Sequence, residues 1–342
     1  MNPVKQPAEW DRHDGVWVAW PLHEDLWQEA LPAAQHEFVG MCRAIGEGNN
    51  AEQLQVLVGD AAHESAARSP LSGLNVRFHR IPFGDIWLRD TAPIFVRNEQ
   101  GKLATSRFGF NGWGGKYELM HDAQVSERIA AAAKVPSQAF PFVLEGGAVD
   151  VDGLGTCLTT ESCLLNPNRG AVQEPSVTGK DVIEQRLRES LGADKTIWLR
   201  DGLLNDHTDG HVDTIARFVA PGVVVCMQPN GDDDPNRDVL LEIADTLRGA
   251  TDVNGKALTV HTIASPGLVL NEEGDVMPAS YVNFYIANNT VVVPTYGSPF
   301  DSVAVGALQT LFPTRRVIGS SAKVILQGGG AFHCITQQQP GV

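Results

Sequence analysis

Short β-branched or apolar runs recur along this chain, at Leu54 to Val58, Ala92 to Val96, Gly222 to Met227, Leu258 to Ile263, Asn289 to Val293 and Arg316 to Ile318. Between them lie stretches with apolar residues at three- and four-residue steps, such as Glu127 to Lys134, Asp181 to Leu191 and Asp238 to Arg248. Runs of five or six apolar residues suit half-buried strands, and the longer period suits helices with one apolar face. The alternation predicts an α/β fold. Glycine and proline are spread evenly and no serine-rich, charged or low-complexity linker breaks the chain, so residues 1–342 read as a single domain. The pentapeptide Ile86-Trp87-Leu88-Arg89-Asp90 returns as Ile197-Trp198-Leu199-Arg200-Asp201, which hints at related supersecondary units.

Composition narrows the function. Apolar residues make up 43% of the chain and charged residues 20%, ordinary values for a folded protein. Lys and Arg number 26 against 41 Asp and Glu, a formal net charge of -15. Such a field repels nucleic acid and anionic membrane surfaces and draws in small cations, although excess acid also serves solubility alone. No run approaches the length of a membrane helix, and Met1 to Gly15 lacks the charged start and apolar stretch of a secretory leader, so a cytoplasmic location is expected. Cys42, Cys157, Cys163, Cys226 and Cys334 are odd in number and form no CxxC pair, which points away from a disulfide framework or a zinc knuckle.

One of these cysteines stands out. Gln327-Gly328-Gly329-Gly330-Ala331-Phe332-His333-Cys334-Ile335-Thr336 follows the apolar run Val324 to Leu326, so the glycines are expected where a strand ends, presenting Cys334 beside a sharp bend or a ligand. An inert buried thiol is the competing reading. A second segment runs Asn205-Asp206-His207-Thr208-Asp209-Gly210-His211-Val212-Asp213 into a strand-like Thr214 to Val219. In a strand His211 and Asp213 share a face, where an imidazole and a carboxylate could address one ligand. The alternatives are a solvated polar loop and a metal site on His207 and His211, which Gly210 and the turn-favouring aspartates disfavour. Two further segments, Phe83 to Pro93 and Leu144 to Asp150, set Asp90 and Glu145 beside glycine, proline or tryptophan, where a loop could hold a carboxylate against a flat cation. A thiol, an imidazole and several carboxylates together suit a nucleophile acting on a positively charged electrophile such as a guanidinium.

In these motifs the chain resembles the agmatine deiminases, a branch of the guanidino-modifying superfamily related to bacterial peptidyl-arginine deiminases. The resemblance covers Glu9-Trp10 with Trp17 and Trp20-Pro21, Trp87 to Pro93, Phe110 to Tyr117, Leu144 to Gly147, His211 to Asp213 and Gly328 to Pro340. It implies a pentein-like, pseudo-fivefold α/β propeller of ββαβ-type units around a central pocket. It implies Cys334 as nucleophile, His211 as general acid/base, Asp90 and Asp213 as the carboxylates gripping the guanidinium, and Glu145 as the partner of His211. Trp87, Trp113 and Gly330 would join Asp90 and Asp213 in binding substrate. Thr214 stands where many relatives carry asparagine, which bears on the exact substrate more than on the chemistry.

The implied reaction converts agmatine to N-carbamoylputrescine and ammonia through a covalent thiouronium, with no metal or organic cofactor, and places the enzyme in polyamine metabolism. A homodimer or higher homo-oligomer is compatible with it. The alternatives are a deiminase of peptidyl-arginine or free arginine, and a catalytically silent guanidinium- or polyamine-binding protein.

Overall fold

The computed structural model describes residues 4–170 and 179–341, so the start of the Met1 to Gly15 stretch lies outside the described residues. Its strands form five small sheets that share one pairing rule. In the third, Asp150–Val151 pairs antiparallel with Thr156–Thr160, which pairs parallel with Lys195–Leu199. The fourth repeats this with Ala216–Ala220, Val223–Gln228 and Thr259–Ala264, and the fifth with Tyr285–Ile286, Thr290–Thr295 and Arg316–Ser321. The second uses Ile94–Asn98, Leu103–Gly109 and Ser137–Val143 in the same way, with Val4–Lys5 added at its edge. In the first, the carboxy-terminal Gln337–Pro340 supplies the antiparallel strand to His13–Ala19, followed in parallel by Gln53–Val58 and Val76–Arg80.

A parallel pair cannot be joined by a tight turn and needs a crossover. Helices Leu31–Ile45, Asp122–Ala133, Gly179–Leu191, Arg237–Gly249 and Asp301–Leu311 supply one per sheet. Helix Arg237–Gly249 shows why: Leu240, Ile243, Ala244 and Leu247 fall at three- and four-residue steps and are all buried, while its flanks carry charge. Burying each such leucine or isoleucine contributes about 1.5–3 kcal/mol. The main apolar cluster includes Trp17, Phe38, Tyr285 and Val292, so it joins the first sheet to the fifth. Among the described residues no helix is long and apolar enough to cross a membrane.

The runs and periodic stretches read from sequence fall on these strands and helices, with three corrections. Val324 to Leu326 is helical, within Lys323–Gln327, not a strand. The reason is remote in sequence: the Glu37 carboxylate accepts from the backbone N–H groups of Lys323, Val324 and Ile325, each at 2.9 Å, and caps the helix. Val212–Thr214 is a 3-10 turn, so His211 and Asp213 do not lie on a strand, which begins only at Ala216. The turn is closed by Thr214, whose hydroxyl donates to the His211 carbonyl at 2.8 Å. The repeated pentapeptide occupies unlike elements: Leu88–Thr91 is helical and buried, whereas Ile197 to Leu199 ends a strand and Arg200 is exposed. Tertiary setting overrides identical local sequence here.

Candidate active site

Cys334 lies in the loop between helix Lys323–Gln327 and the last strand, and the glycines before it make room for rings. A side chain on Gly328 would meet Trp87 at 2.7 Å and Trp27 at 2.9 Å; one on Gly330 would meet Trp87 at 2.8 Å and the Cys334 sulfur at 3.0 Å. Gly330 thus packs beneath Trp87 and the thiol, while Gly328 and Gly329 face the open pocket. The same loop is fastened to the Asp90 helix, since the Arg89 backbone N–H donates to the Cys334 carbonyl at 3.0 Å.

Asp90 is buried, accepting from the Trp113 indole at 2.8 Å through Oδ2 and from the Gly147 backbone N–H at 2.9 Å through Oδ1. His211 Nδ1 stands 3.8 Å from Oδ1. Asp213 places Oδ2 3.6 Å from Cys334 Sγ and 2.6 Å from His333 Nδ1. These side chains converge on Gly147: an added Cβ would lie 2.5 Å from His211 Nδ1, 3.0 Å from Asp213 Oδ2 and 3.1 Å from Asp90 Oδ1. Leu144 to Asp150 thus supplies a bare stretch of backbone against which the groups meet. Asn283, which no motif marks in the sequence, donates from Nδ2 to Cys334 Sγ at 3.1 Å.

Glu145 lies beside His211, as expected, and hydrogen-bonds a third residue. Its Oε1 accepts from Arg169 Nε at 2.8 Å, its Oε2 is buried without a partner, and no hydrogen bond joins it to His211. Both ring nitrogens of His211 are likewise buried and unpartnered. Donor atoms of Glu145, Cys163 and His211 nevertheless lie within 4.8 Å of one another. Arg169, also tied to Asp209 and to the Thr208 carbonyl, already brings a fixed positive charge to Glu145, so the trio is poorly suited to a metal ion. His207, the other half of the metal alternative, lies at the pocket wall, its Nδ1 3.2 Å from the Tyr117 hydroxyl.

The electrostatics follow from this crowding. Burial, with Asp213 and Asp90 adding to it, pushes the Cys334 thiol well above its usual range, and the Asn283 amide only partly opposes them. Burial also raises Asp90, with Asp213 and Glu145 adding to it and His211 opposing. Burial would raise Asp213 too, but the His333 hydrogen bond and the His333, His211 and Arg217 charges outweigh it and hold the group below the ordinary range. For His211 burial disfavours the charged ring, yet Asp90, Cys163 and Glu145 prevail and carry it well up. The resting site thus opposes ionisation of the thiol, favours the charged form of the imidazole and keeps Asp213 ionised.

A pocket of about 290 Å³ opens onto this cluster, with Trp27, Asp85, Trp87, Asp90, Trp113 and Cys334 in its walls. Trp27 and Trp87 stack with ring centroids 6.4 Å apart, each donating its indole N–H to Asp85, at 3.0 and 2.8 Å. Aromatic faces with carboxylates make a slot for a flat organic cation. Trp27 stood alone in the sequence, with no motif to mark it.

The family model for Porphyromonas-type peptidyl-arginine deiminases matches residues 5–340. A Marinomonas relative assigned as an agmatine deiminase is 38% identical, over 99% of this chain and 95% of its own. The solved agmatine deiminase of Enterococcus faecalis superposes with a TM-score of 0.90 at 33% identity, covering 99% of this chain and 96% of that one. DDAH from Pseudomonas aeruginosa shares the fold at a TM-score of 0.51 and 11% identity, over 96% and 99% of the two chains. The chain belongs to the Porphyromonas-type peptidyl-arginine deiminase family, and the Enterococcus protein it resembles is an agmatine deiminase.

Proposed function

We propose that this enzyme hydrolyses agmatine to N-carbamoylputrescine and ammonia, using Cys334 as nucleophile. The observation that carries the reading is the Cys334 thiol facing the Asp90 and Asp213 carboxylates at the end of an aromatic pocket. A guanidinium seated there pairs with both carboxylates, which otherwise hold the thiol neutral, and its own charge favours the thiolate. Binding of the cation thereby arms the nucleophile.

Cys334 Sγ then bonds to the guanidinium carbon, its proton passing to bulk or to a neighbouring base, and His211 donates a proton to the departing nitrogen, which leaves as ammonia. The thiouronium that remains is attacked by water as His211 takes up a proton. The C–S bond breaks, returning the thiol and releasing the ureido product. Asp90 and Asp213 hold the carbon in line throughout.

Free L-arginine would bring an α-carboxylate into the same pocket, and among the described residues lining it there is no lysine or arginine to receive that charge, while Asp85 repels it. This favours agmatine over free arginine. Repetition of one pairing rule in five sheets, with the last strand closing onto the first sheet, supports a single pseudo-fivefold propeller around the pocket. Five unpaired cysteines suit a cytoplasmic setting. The test is ammonia release from agmatine, L-arginine and an arginine-containing peptide. Agmatine is expected to lead by at least about a hundredfold in kcat/KM, about 2.7 kcal/mol. Equal rates on arginine, or citrulline formed in the peptide, would overturn the assignment, and absence of turnover with retained binding would indicate a silent guanidine binder.

A further inference from the structure

Next to the nucleophile sits a side chain that the mechanism above does not use. His333 is buried, its Nδ1 2.6 Å from Asp213 Oδ2 and its Nε2 2.8 Å from Glu9 Oε2. Glu9 is itself anchored: Oε2 also accepts from Arg217 Nη2 at 2.8 Å, and Oε1 accepts from the Ile286 backbone N–H at 2.8 Å. Arg217 continues to Asp150, Nε to Oδ1 at 2.8 Å, and Asp150 Oδ2 accepts from the Phe218 backbone N–H. The ring is therefore gripped on both edges by carboxylates, one facing the Cys334 thiol and the other bolted to the fifth sheet and to a buried guanidinium.

We propose that His333 is a positioning residue: clamped against Glu9, it fixes the orientation of the Asp213 carboxylate that faces Cys334. Asp213 has one buried oxygen, Oδ1, with no partner, so His333 supplies the hydrogen bond that determines which way the carboxylate turns. The titratable and charged groups around Asp213 are His333, His211, Arg217 and Arg89, with Asp90 and the Cys334 thiol opposite. His333 is the largest influence keeping Asp213 ionised against its burial, which agrees with the geometry. The inference rests on the reading of Asp213 as a guanidinium holder.

The two amide side chains that partly mimic histidine separate its edges. An asparagine amide can occupy the place of Nδ1 and still donate to Asp213, whereas a glutamine amide reaches the place of Nε2 and keeps only Glu9. The measurement is inactivation of Cys334 by cationic 2-chloroacetamidine relative to neutral 2-chloroacetamide across pH, which needs no turnover, alongside kcat, KM and the melting temperature. The wild type is expected to prefer the amidine. His333→Gln should cut that preference by about tenfold or more, raise the acid limb of amidine inactivation by about one pH unit, and raise KM for agmatine. His333→Asn should lie nearer the wild type, and Glu9→Gln between the two.

A wild-type preference and acid limb in His333→Gln would overturn the proposal, even with slower turnover or a lower melting point. If that variant does not fold, Glu9→Gln is judged by the same criteria. A wild type that shows the amidine preference but does not turn over agmatine would remove the functional reading and leave the positioning role standing.

Discussion

The Trp113 indole nitrogen donates to Asp90 Oδ2 at 2.8 Å, so one wall of the pocket orients a carboxylate in another. Trp113 achieves this from a left-handed backbone, at φ 53°, in the glycine-rich turn Gly112–Gly115. Trp113→Phe keeps the ring face and removes the donor. It is expected to lower kcat/KM about tenfold, mostly through KM, and to shift the acid limb of the pH profile upward, because an Asp90 already raised by burial loses an interaction that favours its charge. Steady-state kinetics across pH, with the melting temperature as control, check this.

Cys334→Ala should abolish turnover with the fold retained, while Cys42→Ala, Cys157→Ala and Cys226→Ala stay within a few-fold of wild type. Cys163→Ala is expected to fall between, because its thiol stands beside His211 and helps to raise it. Without substrate, alkylation by iodoacetamide should still be accelerating past pH 9, since the thiol is held well above 9.0. A plateau near neutral pH would contradict a resting neutral thiol.

Gly147→Ala tests the convergence of the site most directly. The new methyl would lie 2.5 Å from His211 Nδ1 and 3.0 Å from Asp213 Oδ2, so His211, Asp213 or the Gly147 backbone must give way. A loss of about a hundredfold or more in kcat is expected, with a smaller change in thermal stability, because displacement of about 1 Å is enough to spoil alignment.

Asp122 gives a pH signature that is read in stability. Burial pushes its carboxyl up to about 7; Oδ1 accepts from the Gly84 backbone N–H at 2.7 Å and Oδ2 is buried without a partner. Between the ordinary carboxyl value and about 7 the unfolded chain loses this proton and the folded chain keeps it, so the group costs stability as pH rises through that window. Asp122→Asn should therefore melt higher than wild type at pH 8, by a few degrees, at about 2–4 °C per kcal/mol. The two should converge near pH 4. Differential scanning calorimetry at both values decides it.

Asp90, His211, Asp213 and Cys334 were each visible in sequence through their neighbours: turn-forming glycines, a proline, or the His-x-Asp spacing. The meeting of Asp90, His211 and Asp213 around Gly147, with Cys334 beside Asp213, was not, because nothing local encodes which loops of four separate segments come together. Asn283 was silent for a simpler reason: it sits in an apolar stretch, Tyr281 to Phe284, that reads as core. The helix at Lys323–Gln327 was misread as a strand because Val324, Ile325 and Leu326 favour either state, and the carboxylate that decides the matter belongs to Glu37. The Ile-Trp-Leu-Arg-Asp repeat misled for the opposite reason, as a strong local match between sites with different surroundings.

The carboxy-terminal strand Gln337–Pro340 follows the nucleophile directly and pairs with His13–Ala19, near the other end of the chain. On the ribosome Asp90, His211 and Asp213 emerge before the thiol, and the loop that carries Cys334 is tied on its far side only when Gln337–Pro340 reaches back to the first sheet. A growing chain therefore holds its carboxylates and imidazole before its thiol, and the thiol's loop waits on a strand pairing that spans most of the sequence. Without the pairing of Gln337–Pro340, nearly every functional group would be present and the loop that carries the thiol would be anchored on one side only.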